Sequence, residues 1–187
     1  ELACRANLES RLASRVLWRV GGGPYRDERE LNALARGIDW PTHFRADRTI
    51  RVDVAATRSP LRSLEFATLT VKDAVCDRFR DEQGKRPSVD KRMPDVRVHA
   101  YLTDREATFY LDTSGEPLVK RGYRRDTDEA PLRENLAAGL LALAGWTPDV
   151  PFLDPMCGSG TIAVEAALIA ADRAPGLART FGFQKLA

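Results

Sequence analysis

Val150-Pro151-Phe152-Leu153-Asp154-Pro155-Met156-Cys157-Gly158-Ser159-Gly160-Thr161 is the stretch on which the fold turns. Val150 to Leu153 is an apolar run long enough for a buried strand and too short for a helix. Asp154 and Pro155 end it, Gly158 and Gly160 bracket a serine, and Thr161 opens the Ala-rich segment Ile162 to Ala171. Strand, glycine turn and helix, in that order, predict a ligand-binding turn. Without side chains at the two glycines a ligand can approach the backbone closely. The helix start behind them offers free N–H groups and positive potential to a carboxylate or phosphate. A small, anionic, nucleoside-like ligand fits this description.

Three ligand chemistries compete for such a turn. Gly158-x-Gly160-x-x-Ala163 also fits the dinucleotide fingerprint, in which an acid about twenty residues on holds the ribose. Asp172 comes too early for that role, falls within the expected helix, and no second strand follows. A P-loop is excluded, because no Gly-Lys-Ser/Thr closes the glycine run. The strand-end acid Asp154 decides between the rest: it can accept from an ammonium group, which S-adenosylmethionine carries and NAD lacks. A bare Gly-x-Gly turn can serve geometry alone, but the full string is more specific.

In its Asp-Pro-Met-Cys-Gly-Ser-Gly-Thr form the turn resembles motif I of S-adenosylmethionine-dependent methyltransferases. Further stretches resemble the THUMP-domain RNA methyltransferases, and within them the bacterial large-subunit ribosomal RNA methyltransferase L (RlmL/RlmKL) type. These are Ser10 to Arg15, Val71 to Ala74, Arg86 to Asp90, Arg121 to Arg124, Glu134 to Ala138 and Ala174 to Leu177. They cover nearly the whole chain. The resemblance implies S-adenosyl-L-methionine as cofactor, RNA (most of all ribosomal RNA) as partner, and methylation of a guanine N2 in large-subunit (23S) RNA. It implies cofactor contacts from Asp154, Pro155, Met156, Cys157, Gly158, Ser159, Gly160 and Thr161, and from Pro131 and Glu134 in the motif X stretch Pro131-Leu132-Arg133-Glu134.

The 187 residues can hold one medium domain or two small ones. A formal net charge of +2 leaves nucleic-acid affinity to local clustering. Cys4, Cys76 and Cys157 are odd in number and far apart, which suits neither a disulfide framework nor paired metal-ligand spacing and fits a reduced, cytoplasmic compartment. No metal is expected. No signal peptide and no membrane-spanning apolar run is present in the sequence. Glu1 stands first and reads as lying inside a helix, so both ends are expected to be cuts in a longer protein.

Asn7 to Val20 reads as an amphipathic helix, with Leu8, Leu12, Val16 and Leu17 on one face and Arg11, Arg15 and Arg19 solvated opposite. Gly21-Gly22-Gly23-Pro24 is expected to break it. A second helix spans Asp27 to Gly37, with Trp40 and Phe44 as core anchors, and His43 receives no chemical role. Thr49 to Ala56 alternates as a half-buried strand, Leu64 to Glu82 is a helix ended by Gly84, and Val96 to Leu102 pairs with Ala107 to Leu111 across a short turn. This strand-helix-strand-strand order is an α+β unit similar to the THUMP core. The fold class is thus an α+β THUMP-type domain followed by the start of an α/β Rossmann-like methyltransferase domain. Its expected divisions are a helical connector, or remnant of an N-terminal ferredoxin-like region, at 1–48, the THUMP core at 49–112, a linker at 113–130 ahead of a helix carrying Leu132, Leu136, Leu140 and Leu143, and the methyltransferase start at 131–187.

Lys85, Arg86, Lys91 and Arg92 crowd the loop Gly84 to Pro94 against the single acid Asp90, and Lys72 and Arg97 extend the patch. Phosphate contacts from such residues give affinity without reading sequence; a merely solvated loop is the other reading. Few exposed aromatics accompany the patch, so stacking of single-stranded bases is not evident. His99, on the same strand face as Arg97, reads as structural. The family holds its target base with an Asn/Asp-Pro-Pro-Tyr motif, which this sequence lacks. No catalytic residue is therefore assigned, and the 187 residues alone are expected to be inactive. A non-catalytic RNA-binding module and a DNA adenine-N6 methyltransferase stay open as alternatives.

Overall fold

The computed structural model describes residues 1–124 and 132–187. They form two compact units, one of Leu17–Gly115 with Gly182–Ala187, the other of Glu1–Val16 with Glu116–Phe181.

The first unit is a four-stranded mixed sheet with two helices. Its elements are β1 (Leu17–Pro24), α2 (Glu28–Gly37), β2 (Ile50–Ala56), α3 (Leu64–Gln83), β3 (Val96–Leu102) and β4 (Glu106–Asp112), α1 belonging to the other unit. The strands lie in the order β1-β4-β3-β2. β3 and β4 form a hairpin, β1 pairs antiparallel with β4, and β2 runs parallel to β3 through the α3 crossover. Alternation along the strands buries Val52, Val98, Ala100, Phe109 and Leu111 in one core with Leu31 and Ala35 of α2 and Val71, Val75 and Phe79 of α3. Caps set the helix limits where the sequence places them. Asp27 accepts from the Glu30 N–H at 2.9 Å, and Ser63 accepts from the Phe66 N–H at 3.2 Å. The Gly84 N–H returns to the Arg80 carbonyl at 2.9 Å. Trp40 and Phe44 are fully buried, Phe44 tilting on Phe79 with ring centroids 4.9 Å apart, and His43 stands edge-on to Trp18 at 5.1 Å.

One sequence expectation fails here. Asn7 to Val20 is not a single helix: α1 (Leu2–Glu9) ends at Ser10 in extended backbone, and Leu17 onward is β1. Local periodicity loses to strand pairing, because β4 offers the Leu17–Pro24 backbone a ladder of partners. The glycines expected to break a helix instead let two strands close up: a Cβ on Gly22 would lie 2.5 Å from the Ala107 carbonyl oxygen. The connector expected at 1–48 therefore is not purely helical and contributes a strand to the sheet. Arg11, expected to be solvated, donates to the Leu168 and Arg173 carbonyls at 3.2 and 2.8 Å within the second unit.

That second unit holds α1, α4 (Glu134–Leu143) and α5 (Thr161–Ala170), with α4 packed against α5. Residues 116–124 thread through it without regular structure, yet Leu118 and Arg121 are buried. The expected strand Val150 to Leu153 does not form. No strand among the described residues lies beside it, and an apolar run becomes a strand only when a neighbour accepts its backbone hydrogen bonds. Phe152 packs edge-on against Trp146 at 5.8 Å, while Leu153 is left 86% exposed. No helix among the described residues is long and apolar enough to cross a membrane.

Candidate functional site

The turn ahead of α5 is built as its glycines suggest. Gly158 and Gly160 have φ of 53° and 72°, a region that disfavours side chains, and beyond the adjoining residues no heavy atom among the described residues lies within 4 Å of where a Cβ would stand on either. The space above both is open. Asp154 caps the turn by accepting from the Met156 N–H at 3.2 Å, the Gly160 N–H donates to the Cys157 carbonyl at 2.8 Å, and Gly160 passes directly into α5. Pro155, Met156, Cys157, Gly158 and Ser159 are exposed, whereas Thr161 is buried. Helix geometry leaves the N–H groups of Thr161, Ile162 and Ala163 without intrahelical acceptors, so positive potential faces the turn. An anion is the ligand group that such an opening suits.

Beneath the turn lies a polar network that periodicity did not mark. Arg124 donates from Nε to Glu134 Oε1 at 3.2 Å and from Nη2 to the Leu132 carbonyl at 3.0 Å and Thr161 Oγ1 at 3.1 Å. It thereby joins the first turn of α4 to the first residue of α5. Glu134, expected from its motif to lie near the cofactor, is buried in this contact. Deeper, Arg121 Nε and the Tyr123 hydroxyl both reach Glu165 Oε1 at 3.4 Å. Burial first, then the Glu165 and Glu134 carboxylates, push the Tyr123 phenol well above its ordinary range, so it stays protonated. Pro131, the remaining expected cofactor residue, lies outside the described residues.

Comparison with known proteins fits both units. The THUMP domain model matches residues 25–112, and the RMKL-like methyltransferase domain model matches residues 121–187. The chain carries a THUMP domain followed by RMKL-like methyltransferase sequence. It is 47% identical to the ribosomal RNA large subunit methyltransferase K/L of Psychromonas ingrahamii over 95% of its own length and 24% of that protein's. The protein of the same description from Syntrophotalea carbinolica is 47% identical over 97% of this chain and 26% of its own. The chain thus spans about a quarter of the length of these curated relatives. Among solved structures, a predicted N6-adenine-specific DNA methylase from Listeria monocytogenes superposes with a TM-score of 0.88 at 34% identity. A putative methyltransferase, SMU.472, complexed with SAH superposes at 0.83 and 32%. This chain is covered to 98% in both superpositions, and each of the two structures to 48%.

Within the THUMP domain the six expected basic residues divide. Lys72 and Lys91 line a groove beside the β2 edge together with Arg51, Glu65 and Leu69. Arg51 was not among the expected residues; it donates to the Lys91 carbonyl at 2.9 Å and pairs with Asp53 at 2.7 Å. Lys85 and Arg86 line a different groove with Arg45 and Gln83. Neighbouring acids restrain several of these cations: Lys72 is 2.7 Å from Asp73, and Arg86 is 3.5 Å from both Asp73 and Asp77. The exposed Arg92 sits in a tight turn where Asp90 accepts from the Arg92 and Met93 N–H groups at 2.8 and 3.0 Å, which hold that carboxylate below its ordinary range. Arg97 lies beside Arg51 in the parallel register of β2 and β3. His99 is two residues along, its Nε2 3.8 Å from Asp112 Oδ2.

Sequence reasoning singled out neither Arg124, which joins α4 to α5, nor Arg51, which lines the β2-edge groove. Arg121-Gly122-Tyr123-Arg124 did carry a family resemblance, but in a stretch without periodicity it read only as linker. Among the described residues no cluster of three or more His, Cys, Asp or Glu side chains is placed to hold a metal ion.

Proposed function

We propose that this chain is the RNA-binding and cofactor-binding part of an S-adenosylmethionine-dependent methyltransferase that modifies a guanine N2 of large-subunit ribosomal RNA in the cytoplasm. The observation that carries the reading is the open glycine turn with Asp154 at one end and the α5 N-terminus at the other. It presents an acceptor for an ammonium group and donors for a carboxylate, the two ends of an amino acid. Support comes from the relatives described as ribosomal RNA large subunit methyltransferases and from a structural neighbour complexed with SAH.

In this reading Asp154 holds the amino group, and Ser159, Gly160 and Thr161 face the carboxylate. Pro155, Met156, Cys157 and Gly158 shape the rim, and the motif X residues Pro131 and Glu134 complete the cofactor contacts. Bound S-adenosylmethionine supplies an already activated methyl group, so these residues serve to bind and orient. Lys72, Lys85, Arg86, Lys91, Arg92 and Arg97 contact RNA phosphates. The RNA-binding part corresponds to the THUMP match at 25–112 and the cofactor-binding part to the RMKL-like match at 121–187. The 187 residues lack an Asn/Asp-Pro-Pro-Tyr motif and do not transfer methyl groups by themselves.

The test is methyl transfer by the full-length protein from labelled S-adenosylmethionine, with ribosomal RNA from a strain lacking the enzyme and duplex DNA as acceptors. Label in a guanine of the large-subunit RNA supports the proposal. Label in DNA alone supports the adenine-methylase reading, which the description of the Listeria neighbour favours. RNA binding without transfer to either would leave a binding module.

A further inference from the structure

Beneath the turn, a chain of hydrogen bonds links Arg124, Thr161 and Ser159. A guanidinium has donors and no acceptor, so in the 3.1 Å contact between Arg124 Nη2 and Thr161 Oγ1 the threonine oxygen accepts. Thr161 Oγ1 also lies 3.2 Å from Ser159 Oγ, the only acceptor for its proton among the described residues. Donation from Thr161 to Ser159 gives the buried Thr161 proton an acceptor and leaves the Ser159 proton for a group outside the turn. Ser159 is exposed, and the space over the glycines on either side of it is open. The head of this chain is fixed, because Arg124 is gripped by the Glu134 carboxylate and the Leu132 carbonyl. Its positive charge strengthens each donor that follows.

We propose that Arg124, acting through the Thr161 hydroxyl, sets the Ser159 hydroxyl as a donor to the carboxylate of bound S-adenosylmethionine. Arg124 is then a positioning residue and Ser159 a ligand contact. The inference rests on the reading of the turn as a cofactor seat.

The experiment measures equilibrium binding of S-adenosylmethionine and of its decarboxylated analogue to the full-length protein. Thr161→Val keeps the shape of the side chain and removes the hydroxyl; Thr161→Ser keeps the hydroxyl. The expected result is an approximately tenfold or greater loss of S-adenosylmethionine affinity in Thr161→Val and in Ser159→Ala. The double variant should be no worse than Ser159→Ala, Thr161→Ser should bind as wild type, and decarboxylated ligand should bind equally to all. Arg124→Lys, which retains charge without the planar fork, should lose affinity for the carboxylate-bearing ligand only. Equal losses for both ligands, or additive losses in the double variant, would overturn the relay and leave a structural network. A wild type that binds neither ligand would overturn the cofactor reading, and the relay with it.

Discussion

Arg121 Nε lies 3.4 Å from Glu165 Oε1, with side-chain exposures of 3% and 0%. The guanidinium is completed by the Leu118 and Arg11 carbonyls at 2.8 and 2.5 Å, so one side chain ties α5 to two irregular segments of the same unit. Removing one partner of such a pair strands a desolvated charge. Arg121→Ala should cost about 3–5 kcal/mol of unfolding free energy in urea titrations. The double replacement Arg121→Met with Glu165→Leu should cost less than Arg121→Ala alone. Equal destabilisation by the two would mean the arginine acts through packing rather than charge.

The Gly182–Ala187 segment docks on the THUMP domain through a pair that responds to pH. Lys185 Nζ is 2.6 Å from Asp95, which also accepts from the Thr49 N–H, and together these lower the Asp95 carboxylate to about 2. A carboxyl depressed in the folded state stabilises above its unfolded value, near ~3.9, and that contribution is lost as pH falls toward the folded value. NMR titration of Lys185→Ala should show Asp95 moving up toward ~3.9. Acid unfolding of this variant should be less steep over that interval. An unchanged Asp95 titration would contradict the lysine's role.

Gly22 tests the strand that sequence reading placed in a helix. A methyl group there must displace the Ala107 carbonyl of the neighbouring strand. Gly22→Ala should destabilise by ~1–3 kcal/mol and lower amide-exchange protection first in β1 and β4. Protection lost uniformly, or not at all, would indicate that β1 is not held by that close approach.

Salt dependence separates the basic residues. Lys91 has no acid partner among the described residues, whereas Lys72 is paired with Asp73. If both face phosphate, Lys91→Ala should reduce the slope of log affinity against log salt by about 1. Lys72→Ala should reduce it by less, since part of that charge is already neutralised. Identical slopes for wild type and Lys91→Ala would remove the β2-edge groove from the RNA surface.

The elements legible in the sequence are those whose determinants lie within them or next to them. β2 and β3 alternate cleanly, α3 carries Ser63 and Gly84 at its ends, and the β3–β4 hairpin closes over a short turn. The glycine turn was legible for the same reason, since its two glycines and the helix behind them are contiguous. What failed depends on distant partners. Leu17–Pro24 is a strand only because β4, 95 residues away by the register of Leu17 with Asp112, pairs with it. Val150 to Leu153 has strand composition and no neighbour to pair with among the described residues. Arg121, Tyr123 and Arg124 sit in a polar stretch that reads as linker, because a buried network fed by carbonyls and two helix carboxylates leaves no periodic trace.

The most direct test of the account is equilibrium binding of S-adenosylhomocysteine to the full-length protein, compared between wild type and Asp154→Ala. If the turn before α5 is a cofactor seat, Asp154→Ala weakens the binding that wild type shows there by about tenfold or more, the cost of losing an acceptor for a charged donor. Stability to urea should be unchanged in the variant. Undiminished binding by Asp154→Ala would show that the ligand is held elsewhere and would contradict the assignment of this turn.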